Sequence, residues 1–334
     1  MSRVIIIAEA GVNHNGDMDL AKRLIEVAAE AGVDLVKFQT FKAKNLVTGQ
    51  AAMAAYQEKN TGKSESQFAM LQRLELSEAQ HEILRSHCRA CGVEFLSSPF
   101  DLESIDFLDD FGVPLFKVPS GEITNAPYLK AIAAKNKPVV LSTGMADLGE
   151  VEAAVSLLLG EGLSREQLTI LHCNTEYPTP MVDVNLRAMQ TLALAFPGVQ
   201  VGYSDHTLGI EVSLAAVGMG AVMIEKHFTL DCKMEGPDHK ASLEPDQLTA
   251  LVAGIRNLEQ AMGDGWKRPS PSEAKNKPIA RKSIVAARAI AEGEVFSLEN
   301  LTIKRPGTGI SPMRWDQVMG QRAKRDFAPE EAIE

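Results

Sequence analysis

The chain has 334 residues, is 45% hydrophobic and 23% charged, and carries a formal net charge of −10. That length can bury a sizeable core in one large domain with a small one beside it. The acidic balance argues against nucleic acid or an anionic membrane as partner, because phosphate surfaces select basic proteins, and no apolar run approaches the ~20 residues of a membrane-spanning helix.

Val4 to Ala8 is a β-branched run followed by Glu9, too short for a targeting segment. A turn-rich stretch, Gly11 to Gly16, leads into a helix over Asp17–Ala31, with Leu20, Leu24, Val27, Ala28 and Ala31 on one face and Gly32 as its stop. Leu35–Gln39 is the second strand. A long Met/Ala-rich insertion occupies Thr40 to Leu76. Ser77 with Gln80 forms a capping box for the next helix, which Gly92 closes. Cys88 and Cys91 on that helix make the only C-x-x-C pair, after His87. With no second pair they read as helix positions, not a zinc or redox site. Four cysteines without a disulfide framework, and no signal segment, point to the cytoplasm.

Further strands follow at Glu94–Ser97, Leu115–Pro119, Pro138–Ser142, Leu168–His172, Val201–His206 and Val222–His227, separated by helical segments. Most are continuous apolar runs, as strands covered on both faces are. Eight βα units over about 260 residues match a (β/α)8 TIM barrel. A doubly wound sheet is disfavoured, since no G-x-G-x-x-G follows the first strand and polar groups follow nearly every strand. These features predict a barrel over 1–263, a Gly/Pro/Ser-rich linker over 264–280, and a small β-rich module over 281–334 with β-prone pieces at 282–286, 290–296 and 301–306.

Polar groups at the carboxyl ends of barrel strands build sites. Here they are Glu9, Lys37, Gln39, Ser97, Ser98, Lys117, Ser120, Glu122, Ser142, Asn174, Tyr177, Ser204, Asp205, His206 and His227. Lys37 and Lys117 lie within apolar runs. A buried lysine needs a partner, either Glu9 or Glu122 or an anionic substrate. Serine hydroxyls on the same rim suit a phosphate. His206 and His227 end neighbouring strands and suit Mn, Fe, Co, Zn or Ni, with positions left open for substrate oxygens. His172 lies inside its run and reads as a core histidine. Glu122 suits general acid or base work. Such a rim fits carbon–carbon bond formation from a phosphorylated enol, a Schiff-base aldolase using Lys37 or Lys117, or a metal-dependent sugar isomerase.

The ordered motifs Glu9–Ala10–Gly11–Val12–Asn13–His14–Asn15–Gly16, Lys37–Phe38–Gln39–Thr40, Lys117–Val118–Pro119–Ser120–Gly121–Glu122, Asn174–Thr175–Glu176–Tyr177–Pro178, Gly202–Tyr203–Ser204–Asp205–His206–Thr207, Glu225–Lys226–His227 and Gly236–Pro237–Asp238–His239 resemble the sialic acid synthase family. These are the phosphoenolpyruvate-dependent N-acetylneuraminate synthases, and the tail resembles their antifreeze-like SAF domain. The resemblance implies condensation of phosphoenolpyruvate, N-acetylmannosamine and water to N-acetylneuraminate and phosphate. It implies a divalent metal on His206 and His227, manganese first and magnesium or cobalt as alternatives, polarising the sugar aldehyde. Lys37, Ser98, Lys117, Ser120, Ser142 and Ser204 match phosphoenolpyruvate-binding positions. Glu122 matches the acid/base, with Glu9 and Lys117 as further catalytic candidates. Gln39, Asn60, Tyr177, Asp238 and Arg305 match sugar-binding positions. Arg305 would reach in from a partner subunit, in a domain-swapped homodimer whose small domain lies over the partner's barrel.

Two ammonium groups on one rim would repel each other without a bound phosphate, so the resemblance favours a ligand over a plain ion pair. Legionaminic or pseudaminic acid synthases, acting on a 2,4-diacetamido-hexose, are the alternative. The insertion and the Asn174–Tyr177 run look most like the neuraminate type. A non-catalytic carbohydrate-binding protein is a more distant reading, which the intact rim opposes.

Overall fold

Each apolar run of the first 264 residues is a strand in the computed structural model, which describes residues 3–49, 51–54, 57–58 and 66–334. The strands are β1 Ile5–Gly11, β2 Leu35–Thr40, β3 Glu94–Pro99, β4 Phe116–Val118, β5 Val139–Ser142, β6 Leu168–Cys173, β7 Gln200–Asp205 and β8 Met223–His227. They pair in parallel in the order β3-β2-β1-β8-β7-β6-β5-β4. β3 and β4 approach within 8 Å and complete the ring without a hydrogen-bonded ladder among the described residues. This is the (β/α)8 barrel expected from the count and spacing of the runs.

The helices stop and start where the sequence has capping chemistry. Asp17 accepts from the amides of Asp19 and Leu20 ahead of the helix Met18–Ala31, and left-handed Gly32 ends it. Ser77 and Gln80 form a reciprocal capping box on Glu78–Cys91, closed by Gly92. Cys88 and Cys91 are two free thiols on this helix, the first buried.

Side chains alternate across each strand. One face packs outward under the helices, through residues such as Ile6, Val36, Phe95, Phe116, Leu141, Ile170, Tyr203 and Ile224. The other face points into the barrel, where Ile7, Leu35, Leu96, Val140, Leu171 and Met223 form an apolar plug. Two residues further along these inward faces stand Glu9, Lys37, Ser98, Ser142, Cys173 and Glu225, so the chemistry sits one layer above the plug.

Gly202 of β7 is the inward position with no room for a side chain. A Cβ there would lie 2.5 Å from the Met223 carbonyl oxygen and 2.7 Å from Leu171 Cδ2. Gly202→Ala is expected to destabilise the fold by about 1–3 kcal/mol through overpacking. The measurement is the urea midpoint at unchanged slope, and an unmoved midpoint would show that the interior can relax.

The insertion after β2 folds onto the mouth of the barrel. Short helices at Ala43–Leu46 and Gln67–Leu74 bring Met53, Met70, Leu71 and Leu74 against Val12 and Phe41, with Phe100 beside them, in a small apolar core of its own.

Residues 265–334 form a second unit. Its start is not an extended linker: Ser270 caps a short helix, Pro271–Ala274, and another covers Lys277–Ala280. β9 Ser283–Ala286 and β10 Leu301–Lys304 pair antiparallel. The β-prone piece 290–296 does not become a strand. Ile290 and Val295 make isolated bridges to Phe327 and Arg322, because the turn at Gly293 interrupts the pairing. Ile284, Ala286, Ile290, Phe296, Leu301 and Phe327 supply the core of this unit.

Candidate active site

Lys37 and Lys117 are buried inside the barrel, and burial of an ammonium needs compensation. The compensation meets the sequence expectation at Glu9 and departs from it at Glu122. Lys37 Nζ lies 2.7 Å from Glu9 Oε2 and 3.5 Å from Glu225 Oε2, while Lys117 Nζ lies 3.2 Å from Glu225 Oε1. One carboxylate, Glu225, therefore bridges both lysines. Glu122 pairs with neither. It stands half-buried on the rim, where Asn125 Nδ2 donates to its Oε2 at 2.6 Å. Two ammoniums face two carboxylates, so the cluster is formally balanced and mutual repulsion does not by itself demand a phosphate.

Burial raises the Glu9 carboxyl above its ordinary range, with Lys37 opposing. Glu225 is held far below that range by Lys117 and Lys37, which outweigh its burial. Burial lowers the Lys117 ammonium, while the carboxylates raise that of Lys37.

The serines ring this cluster. Lys37 donates to Ser98 Oγ at 3.0 Å, and Ser204 Oγ donates to Glu225 Oε1 at 2.9 Å. Ser120 Oγ accepts from the Gly144 amide at 3.0 Å and lies 3.2 Å from Cys173 Sγ. Ser142 Oγ and His227 Nδ1 are buried with no hydrogen-bond partner. Orphaned buried polar atoms are uncommon in native proteins, and here both line one cavity of about 570 Å³, together with Glu9, Lys37, Lys117, His206 and Glu225.

Gly11 shapes one edge of that cavity. It sits at the bulge where the β1–β2 register slips, at φ +52°, and a Cβ there would lie 3.2 Å from Glu9 Oε1 and 3.4 Å from both Gln39 and His227. Gln39 Nε2 donates to Glu9 Oε1 at 3.3 Å.

His206 and His227 come together as their strand ends predict, with ring centroids 5.3 Å apart. Tyr177 lies 4.1 Å from the His206 ring and edge-on to His227 at 5.5 Å. His206 Nδ1 contacts the Asn174 carbonyl oxygen at 2.5 Å, so that nitrogen carries the hydrogen and Nε2 keeps its lone pair. Burial holds the His206 imidazole down to about 4 and holds that of His227 well below its ordinary value, with His206 adding to the effect. Both rings are neutral at neutral pH, which is the form that ligates metals. His227 Nδ1 is 4.0 Å from Asp238 Oδ2, and burial with the Glu9 charge pushes the Asp238 carboxyl up to about 7. No group of three or more His, Cys, Asp or Glu side chains forms a metal cage among the described residues. The pair fits a cation that takes two imidazoles and leaves its other positions to water and substrate.

Other candidates fall elsewhere. Asp205 faces outward and pairs with buried Lys226 at 2.9 Å, a structural ion pair under the helices. His172 is half-buried on the outward face of β6 and bonds the Val184 carbonyl at 2.9 Å, away from the site. Arg305 belongs to the second unit, where it is exposed just after β10. Asn60 lies outside the described residues. Glu225 is the residue that sequence reading missed. Its signal was parity, because it stands two residues before His227 on the same inward face of β8.

The chain matches the model of the NeuB family over residues 24–267 and that of the SAF domain over residues 281–334. It is 56% identical to the N,N'-diacetyllegionaminic acid synthase of Campylobacter jejuni, over 100% of this chain and 99% of that one. It is 50% identical to the protein of the same name from Legionella pneumophila, over 97% and 91% of the two chains. Among solved structures, the N-acetylneuraminic acid synthetase of Leptospira borgpetersenii, crystallised with citrate, is 34% identical with a TM-score of 0.72, over 82% of this chain and 90% of that one. No helix among the described residues is long and apolar enough to cross a membrane.

Proposed function

The chain belongs to the NeuB family, and on that premise we propose that it condenses phosphoenolpyruvate with a 2,4-diacetamido-hexose and water, giving N,N'-diacetyllegionaminic acid and phosphate. The family makes it a phosphoenolpyruvate-dependent, carbon–carbon bond-forming synthase of the sialic acid type. The observation that carries the chemistry is the pair of buried lysines bridged by Glu225, with unpartnered Ser142 beside them and the neutral histidine pair above.

The choice of sugar rests on the relatives. The chain shares 56% and 50% identity with diacetyllegionaminic acid synthases, against 34% with the sialic acid synthetase. This turns the order of the sequence expectation round, and N-acetylmannosamine becomes the second reading. The product name sets the co-substrate: removing the three carbons of the enolpyruvyl unit leaves a six-carbon sugar with two acetamido groups.

Lys37 and Lys117, with Ser98, Ser120, Ser142 and Ser204, hold the phosphate and carboxylate of phosphoenolpyruvate. C3 of the enol attacks the sugar's aldehyde carbon. Water adds at C2, and phosphate leaves with cleavage of its C–O bond. Glu122, the rim carboxylate without a lysine partner among the described residues, moves the proton. Glu9 keeps Lys37 placed. A divalent metal, manganese first, held by His206 and His227, would supply Lewis acidity to the aldehyde oxygen. Gln39, Tyr177 and Asp238 line the cavity toward the sugar. Arg305 completes the sugar site from a partner subunit of a homodimer, a reading that its exposure on a separate unit supports.

The test is phosphate release from phosphoenolpyruvate with manganese and a panel of 2-acetamido- and 2,4-diacetamido-hexoses, with product masses read directly. The 2,4-diacetamido sugar is expected to give the highest kcat/KM. Preference for N-acetylmannosamine would return the neuraminate reading to first place. Absence of phosphate release with every sugar would revive the binding-protein reading, and inactivation by borohydride in the presence of substrate would favour the Schiff-base aldolase.

A further inference from the structure

The cavity has two chemically different sides. The histidine pair ends β7 and β8, where the proposed function sets the aldehyde carbon. In the ring of strands, β2 and β3 lie on the far side of β1 from that pair, and β3 stands opposite β7. There the inserted segment after β2 closes the cavity with Leu46, Val47, Leu71 and Leu74, and its polar contributions among the described residues are Gln57 and Gln67. Leu71 and Leu74 are held by a small core that includes Phe41 and Met70, so this wall is fixed in place rather than loosely draped.

We propose that this wall reads the end of the sugar remote from the aldehyde, and that it selects a second acetamido group over a hydroxyl there. The inference rests on the diacetamido-hexose reading given above. A sugar whose aldehyde is at the histidines extends its C4–C6 end across the mouth toward β2 and β3. A hydroxyl buried against leucine and valine loses its water partners without replacement. An acetamido group instead lays its methyl on the apolar surface and turns its amide to the polar side of the cavity. An apolar wall discriminates only moderately, by roughly 10–200-fold for groups of this size, so the selection is graded.

The experiment compares kcat/KM for a 2,4-diacetamido-hexose and for N-acetylmannosamine in the wild type, in Val47→Thr and in Leu46→Asn. Both positions are half-buried at the edge of the small core of the insertion, so the urea midpoint of each variant is measured alongside. Val47→Thr keeps the shape and adds a hydroxyl. Each variant is expected to shrink the preference for the diacetamido sugar by about tenfold, mainly by raising activity on N-acetylmannosamine, with KM for phosphoenolpyruvate unchanged. An unchanged ratio in both variants, with a wild type that prefers the diacetamido sugar, overturns the role of the wall and leaves the proposed function standing. A wild type that prefers N-acetylmannosamine overturns that function and the wall's role together.

Discussion

Lys117→Ala is expected to lower kcat/KM for phosphoenolpyruvate by about 10²–10³-fold, with KM for the sugar little changed. The figure corresponds to about 3–4 kcal/mol, the scale of a buried charge-assisted contact that is lost outright. Lys117 also serves Glu225, whose Oε1 it meets at 3.2 Å. Removing it leaves that carboxylate with Ser204 at 2.9 Å and Lys37 at 3.5 Å. Breaking a buried pair by taking one partner costs about 3–5 kcal/mol of stability, so the single variant confounds folding with binding. Lys117→Ala combined with Glu225→Gln separates the two: the double variant is expected to recover most of the lost stability in urea and none of the lost phosphoenolpyruvate affinity. Normal affinity for phosphoenolpyruvate in the double variant would show that Lys117 acts only as a counter-ion.

Chelation with EDTA is expected to abolish turnover, and added manganese to restore it. His206→Ala and His227→Ala should each lose more than about 10³-fold in kcat and recover only in part at high manganese, since among the described residues no cage of three or more ligands backs up the two imidazoles. Direct calorimetric titration of manganese into the chelated protein gives a readout separate from activity. Both variants should show weakened binding, while Lys117→Ala should bind the metal as the wild type does. Full activity in excess chelator would remove the metal from the reaction.

Much of this site is legible in the chain because barrels obey simple periodicities. Lys37, Ser98, Ser142, Ser204 and His227 each lie at or near the end of an apolar strand, on the parity that points inward, and the barrel converges them on one mouth. The histidine pair follows from β7 and β8 being neighbours. The same logic was available for Glu225. An acid between Ile224 and Lys226 reads as one charged residue in a mixed run, and only the closed barrel, which brings in Lys37 from β2 and Lys117 from β4, shows that it faces two lysines instead of water. The choice of Glu9 or Glu122 as the lysines' partner was half right: Glu9 pairs with Lys37, whereas Glu122 follows β4 in a turn that carries it to the rim.

The sequence by itself determined the element order, the caps, the barrel and the residue types on its rim, because strand parity, capping chemistry and the length of each βα unit are local properties of the chain. Tertiary structure alone decided which charges meet and how they balance, since a salt bridge between β2 and β8 depends on two segments about 190 residues apart, closed into one ring. It also placed the apolar face of the insertion over the ends of β1, β2 and β3 at the mouth of the cavity. A leucine in a polar segment has no partner until the segment folds, and its position at the mouth of the cavity is a property of the packed core beneath it.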